Sequence, residues 1–133
     1  DVDRVRFGVI VCYDAVFPEV ARTFALKGAE ILFVPSRILK AGNEPWSVYL
    51  STRCLENRLP VVASNVVWPP RYSGHSMILS LRQDSDSKIV YPNPLATGGE
   101  SPEALVADLD LETARKLRES RLAERRPIAY KLL

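Results

Sequence analysis

The stretch V-R-F-G-V-I-V-C-Y-D-A-V-F-P-E-V-A-R-T-F-A-L-K-G-A-E-I-L-F-V-P, from Val5 to Pro35, carries the reading of the fold. Val5 to Val11 is an apolar, β-branched run with the character of a buried strand. Asp14 to Pro18 reads as a turn. Pro18 suits the first turn of a helix on which Val20, Ala21, Phe24 and Ala25 share one face. Gly28 closes that helix as a left-handed cap. Ile31-Leu32-Phe33-Val34 follows as a short, wholly apolar strand that Pro35 ends. Strand, helix, strand in this order is a right-handed crossover with parallel strands, and such a sheet is expected to be covered on both faces. The fold class is therefore α/β.

Working outward, Arg37 to Glu44 is a loop and Pro45 opens a second helix. Trp46, Tyr49, Leu50, Arg53, Cys54 and Asn57 share one of its faces, which is polar for a core stripe. Arg53 and Glu56 stand three apart and can pair, which makes them scaffold. Leu59 to Asn65 reads as the third strand. Trp68-Pro69-Pro70 with Arg71 to Gly74 makes a stiff loop before a fourth strand at His75 to Leu81. A polar turn at Gln83 to Ser87 leads into a short antiparallel strand at Lys88 to Tyr91. Pro92 to Pro102 reads as loop and Ala104 to Leu109 as a last strand. Asp110 offers an N-cap for a helix running to about Arg121.

The 133 residues fit one domain, and 47% hydrophobic with 26% charged residues is a globular composition. No stretch approaches the ~20 apolar residues that span a bilayer, and Asp1 to Arg6 has no apolar signal core. The expectation is a cytoplasmic protein that binds neither membrane nor nucleic acid, since the net charge is only +2. From Glu112 onward seven basic residues, Arg115, Lys116, Arg118, Arg121, Arg125, Arg126 and Lys131, face three acidic ones. Mixed signs at helical spacing favour a solvated helix face over a phosphate patch. Cys12 and Cys54 give neither a disulfide framework nor metal-ligand spacing. With no G-x-G-x-x-G and no P-loop, neither metal nor cofactor is expected.

Cys12 stands between an apolar strand and the turn into a helix, the carboxyl edge where ligands bind in open α/β sheets. A thiol there can be activated by amides and cations, or it can be an inert buried cysteine; the spacing leaves both open. A cysteine-phosphatase loop is excluded, because Pro18 stands where its arginine is required. The only histidine, His75, reads as a hydrogen-bonded strand residue in preference to a base. Asp14, Glu19, Glu30, Glu44 and Glu56 are the candidate bases, none singled out by spacing.

Gly8 to Glu19, with Cys12-Tyr13-Asp14 at its centre, resembles the cysteine motif of the nitrilase, or carbon-nitrogen hydrolase, superfamily. Gly28-Ala29-Glu30 before Pro35-Ser36 resembles that family's next strand, and Trp46, Arg53, Glu56 and Asn57 resemble its following helix. Asn65 ahead of Gly74-His75-Ser76, Asp108 with Asp110, and Arg125-Arg126-Pro127 with Tyr130 fall in the family's order. The resemblance implies half of an α-β-β-α sandwich, a mixed sheet with helices packed on it. It implies hydrolysis of an amide, nitrile or carbamoyl group of a small molecule through a Cys, Glu and Lys triad.

Cys12 maps onto the nucleophile, forming a thioester, and the Tyr13 amide onto an oxyanion donor. Ala15, Val16, Ser36 and Arg37 map to places where the family sets substrate choice. Arg37 reads equally as a carboxylate ligand or a surface charge. The family's glutamate and lysine precede its cysteine, and no residue before Cys12 is either one. The resemblance therefore implies that residues 1–133 are the C-terminal part of the hydrolase domain, inactive alone and expected to form a homo-oligomer. The alternative is a noncatalytic interaction domain on the same half-sandwich. Trp68-Pro69-Pro70 and Gln83 to Ser87 depart from the family pattern and bear on the substrate, not on the fold.

Overall fold

The computed structural model describes residues 5–130. Lys131, a member of the basic C-terminal segment, and Asp1 to Arg4 lie outside the described residues. The expected crossover is present. Strand β1 (Phe7–Val9) leads through a 3-10 turn (Cys12–Val16) into helix α1 (Pro18–Leu26), and β2 (Ile31–Ser36) returns parallel to β1. Pro18 occupies the first turn of α1, and Gly28 follows the helix at φ +87°. At that backbone angle glycine carries no steric cost and a side chain would.

Helix α2 (Asn43–Asn57) starts before Pro45, which falls within its first turn where a missing N–H costs nothing. Strand β3 (Val61–Asn65) is parallel to β2; β6 (Met77–Gln83) and β7 (Val90–Thr97) then add antiparallel. The mixed sheet has the order β1-β2-β3-β6-β7. Helix α3 (Leu111–Ala123) begins at the expected cap, where Asp110 Oδ1 accepts from the Thr113 N–H at 2.9 Å.

Helices α1 and α2 lie on one face of the sheet. Ala21 of α1 and Trp46, Leu50 and Cys54 of α2 form one cluster with Ile10, Leu32, Val34, Val61, Ala63, Met77 and Leu79. Leu32, Leu50 and Leu79 are almost wholly buried, each worth about 1.5–3 kcal/mol relative to an exposed position. Gly8 lets α1 sit close: a Cβ there would fall 2.5 Å from Phe24 Cδ1.

Several expectations are corrected. The first strand is not buried on both faces: Gly8 is buried while Phe7 is 40% and Val9 48% exposed. That strand is also shorter than Val5 to Val11, because the chain leaves the edge of the sheet to enter the 3-10 turn. Pro35 does not end β2. The β1 ladder closes where the Ile10 N–H donates to Phe33 O at 3.0 Å, so Pro35 pairs only with β3, opposite Ser64.

The segment after Tyr91 is strand, not loop; β7 is an edge strand, the place in a sheet that tolerates Pro92 and Pro94. Trp68 to Ser73, read as irregular, contains a small hairpin of β4 (Val67–Trp68) and β5 (Tyr72–Ser73). Tyr49 faces solvent at 38% exposure instead of joining the buried stripe of α2. Ala104 to Leu109 pairs with no strand among the described residues, and Val106 stands 89% exposed. An apolar stretch with no neighbouring edge to join has nowhere to place its ladder hydrogen bonds.

Candidate active site

The first two parallel strands and β3 deliver their carboxyl ends to one edge of the sheet, and the candidate residues gather there. The Cys12 backbone takes φ +48°, a left-handed conformation uncommon for a residue with a side chain. Its neighbours Val11 and Tyr13 are 58% and 69% exposed, so the half-buried Cys12 lies on an open turn. The turn is closed internally: the Asp14 N–H donates to Val11 O at 3.0 Å, and Asp14 Oδ2 accepts from the Val11 N–H at 3.3 Å. Tyr13 stacks edge-on against Phe17 at 5.4 Å. The Tyr13 amide lies in the first turn of the 3-10 segment, whose leading N–H groups have no acceptor within it.

What holds this turn is Arg53, 5% exposed in the middle of α2. Its Nε donates to Ala15 O and its Nη2 to Val16 O, both at 2.8 Å, while Nη1 meets Glu56 Oε1 at 2.6 Å. Asn57 Nδ2 also donates to Glu56 Oε1, and Arg22 Nη2 donates to Glu56 O at 3.0 Å. The expected Arg53 to Glu56 pair is thus present, and the same guanidinium also ties α2 to the cysteine turn. Spacing exposes the pair, but nothing in the spacing announces the two carbonyls.

The candidate substrate residues separate. Ala15 has no exposed surface and packs into the core. Val16 is half-buried behind the turn. Ser36 is buried, its hydroxyl donating back to Val34 O at 3.2 Å and its carbonyl accepting from the Val66 N–H. Arg37 is exposed, with its guanidinium 5.3 Å from the centre of the Tyr72 ring. Asn65 fastens the surrounding loops: Oδ1 accepts from the Ile38 N–H at 2.8 Å and Nδ2 donates to Gly74 O at 2.5 Å.

Cys54 is fully buried and donates to Ser80 O at 3.4 Å; burial pushes its thiol up to about 12. His75 is not on a strand. It takes φ +62° ahead of β6, and its Nε2 lies 3.8 Å from Glu100 Oε1. Of the candidate bases, Glu30 sits at the amino end of β2, away from Cys12, held by Arg115 and by the Arg6 N–H. Glu56 is committed to Arg53. Among the described residues no cluster of His, Cys, Asp or Glu is arranged to hold a metal, and no helix is long and apolar enough to cross a membrane.

A family model described as Carbon-nitrogen hydrolase matches residues 1–119. N-carbamoylputrescine amidase of Solanum tuberosum is 34% identical over 96% of this chain and 47% of its own length. The crystal structure of a carbon-nitrogen hydrolase from Helicobacter pylori G27 superposes with a TM-score of 0.80 at 28% identity, covering 96% of this chain and 48% of that one. An amidase variant from Nesterenkonia sp. AN1, with the acetamide moiety of fluoroacetamide on its active-site cysteine, superposes with a TM-score of 0.72 at 25% identity, covering 94% and 43%. The chain spans about half the length of the curated relatives it matches.

Proposed function

Since the chain belongs to the carbon-nitrogen hydrolase family, we propose that the whole protein hydrolyses an amide, nitrile or carbamoyl group of a small molecule, with Cys12 as nucleophile. The observation that carries this is the placement of Cys12: a half-buried thiol in a left-handed turn at the carboxyl edge of parallel strands, braced by Arg53. Cysteine adduct formation in the related amidase from Nesterenkonia supports the same reading.

For an amide, Cys12 Sγ adds to the carbonyl carbon, and the carbonyl electron pair moves onto oxygen. The Tyr13 N–H then faces a developing oxyanion, an interaction worth ~10²- to 10³-fold in rate. Collapse of this adduct breaks the C–N bond, the amine leaves with a proton, and water hydrolyses the thioester to acid and free thiol. The base that takes the thiol proton, and a lysine as second oxyanion donor, are contributed by the remainder of the fold. Of the five candidate carboxylates, Glu56 and Glu30 are already ion-paired. The Val16 and Arg37 backbone shapes the substrate edge. Copies of the whole protein associate as a homo-oligomer, readable by light scattering.

The test is hydrolysis of a panel of small amides, nitriles and carbamoyl compounds by the full-length protein and its Cys12→Ala variant, together with iodoacetamide labelling. Loss of turnover in Cys12→Ala, with Cys12 alkylated before Cys54, is the expected result. Undiminished turnover in that variant, or labelling confined to Cys54, overturns the assignment.

A further inference from the structure

From the same sheet edge we infer a ligand-binding cleft of about 380 Å³ formed by Arg37, Arg71, Tyr72 and Trp68 with the Pro69-Pro70 turn, which selects substrates carrying a carboxylate next to an apolar body. Arg37 directly follows β2, and the β4/β5 hairpin follows β3, so both come off the edge that also presents Cys12. The hairpin is anchored there: the Lys40 N–H donates to Arg71 O at 3.1 Å, and Asn43 Nδ2 donates to Ser73 Oγ at 2.7 Å.

Two guanidinium groups converge on one aromatic ring. Arg37 Cζ lies 5.3 Å and Arg71 Cζ 5.6 Å from the Tyr72 centroid. Among the described residues neither has a carboxylate partner within ion-pair distance, and Glu100 is paired with Lys40 at 2.8 Å. An anion that reaches either guanidinium offsets this unpaired positive charge and meets a planar fork of donors. Trp68 is 73% exposed. An indole left open beside two prolines offers a flat apolar surface on which a ligand's body can lie.

Charge and apolar surface side by side match a small organic acid better than a bare inorganic anion. The link to substrate choice rests on the hydrolase reading above; the cleft itself does not. The experiment therefore has a binding arm and a turnover arm, both on the full-length protein. Phenylacetate, 2-phenylethanol and benzylphosphonate are titrated by calorimetry into the wild type, the Arg37→Met/Arg71→Met double variant and the matching double lysine variant. Succinamate and butyramide are compared as substrates.

Phenylacetate is expected to bind roughly tenfold or more tightly than 2-phenylethanol, the usual scale of a charged hydrogen bond. The preference should vanish in the methionine variant and partly survive in the lysine variant. The kcat/KM ratio of succinamate to butyramide should fall in parallel. Equal affinity for acid and alcohol in the wild type, or a preference unchanged by the methionine pair, overturns the cleft. Stronger binding of benzylphosphonate than of phenylacetate overturns the carboxylate assignment. Selective binding of phenylacetate without hydrolysis of any amide, nitrile or carbamoyl compound in the panel upholds the cleft and overturns the hydrolase reading, so the two fail separately.

Discussion

Replacing Arg53 by methionine keeps an unbranched, shorter apolar stem and removes the three hydrogen bonds to Ala15, Val16 and Glu56 at one stroke. The Ala15 carbonyl belongs to a residue with no exposed surface, so water cannot replace the lost Nε donor there. Val16 is half-buried and the Glu56 side chain 29% exposed, so their lost partners are replaced in part by solvent. Hydrogen bonds to a charged group are worth about 1.5–3 kcal/mol each, and removing one partner of a buried pair typically costs about 3–5 kcal/mol. Allowing for the apolar contact that methionine gains, a loss of about 3–5 kcal/mol is expected. That is a large fraction of the ~5–15 kcal/mol by which domains are stable. Equilibrium urea denaturation of the full-length protein measures it, and the Cys12 alkylation rate reports whether the turn has loosened. Arg53→Lys, able to reach fewer of the three acceptors, should fall between. A loss below about 1 kcal/mol with an unchanged alkylation rate would refute the bracing role.

Two further outcomes follow from other parts of the structure. Gly8→Ala forces a Cβ to within 2.5 Å of Phe24 Cδ1 and 2.7 Å of Cγ, so α1 must shift away from β1; an overpacking loss of about 1–3 kcal/mol is expected, read as a lowered urea midpoint, and an unchanged midpoint would show that the ring moves freely. The Arg115 hydrogen bond, opposed by burial and aided by the Arg6 N–H, holds the Glu30 carboxyl below its ordinary range. A depressed folded-state value means that this stabilisation is complete above the unfolded carboxyl's pKa of about 4.3 and is lost as pH falls through the folded value. The stability gap between wild type and Glu30→Gln should therefore be widest near neutrality and close in acid, and a gap that grows in acid contradicts the sign.

The order strand, helix, strand over residues 5–36 was legible because its signals are local, whereas the length of β1 and the passage of β2 through Pro35 depended on neighbouring strands. Proline at a helix start, glycine at φ +87° and two apolar runs flanking a helical stripe specify strand, helix and strand without reference to distant neighbours. The motif at Cys12 was legible for the same reason, and so were the Arg53 to Glu56 spacing and the Asp110 cap. What lies at the sheet edges was not. Pro92 and Pro94 argue against a strand until β7 is known to be outermost, and Ala104 to Leu109 has the composition of a strand but no edge to join. The same limit applies to the site. Sequence places Arg53 on a helix and Ala15 in a turn, 38 positions away, and only packing of α2 against the turn makes one the donor for the other. Arg37, Arg71 and Trp68 each read as surface residues until the hairpin after β3 folds back beside the end of β2. Hydrogen bonds and charges act over a few ångströms in space, and the chain alone does not state which distant residues share those ångströms.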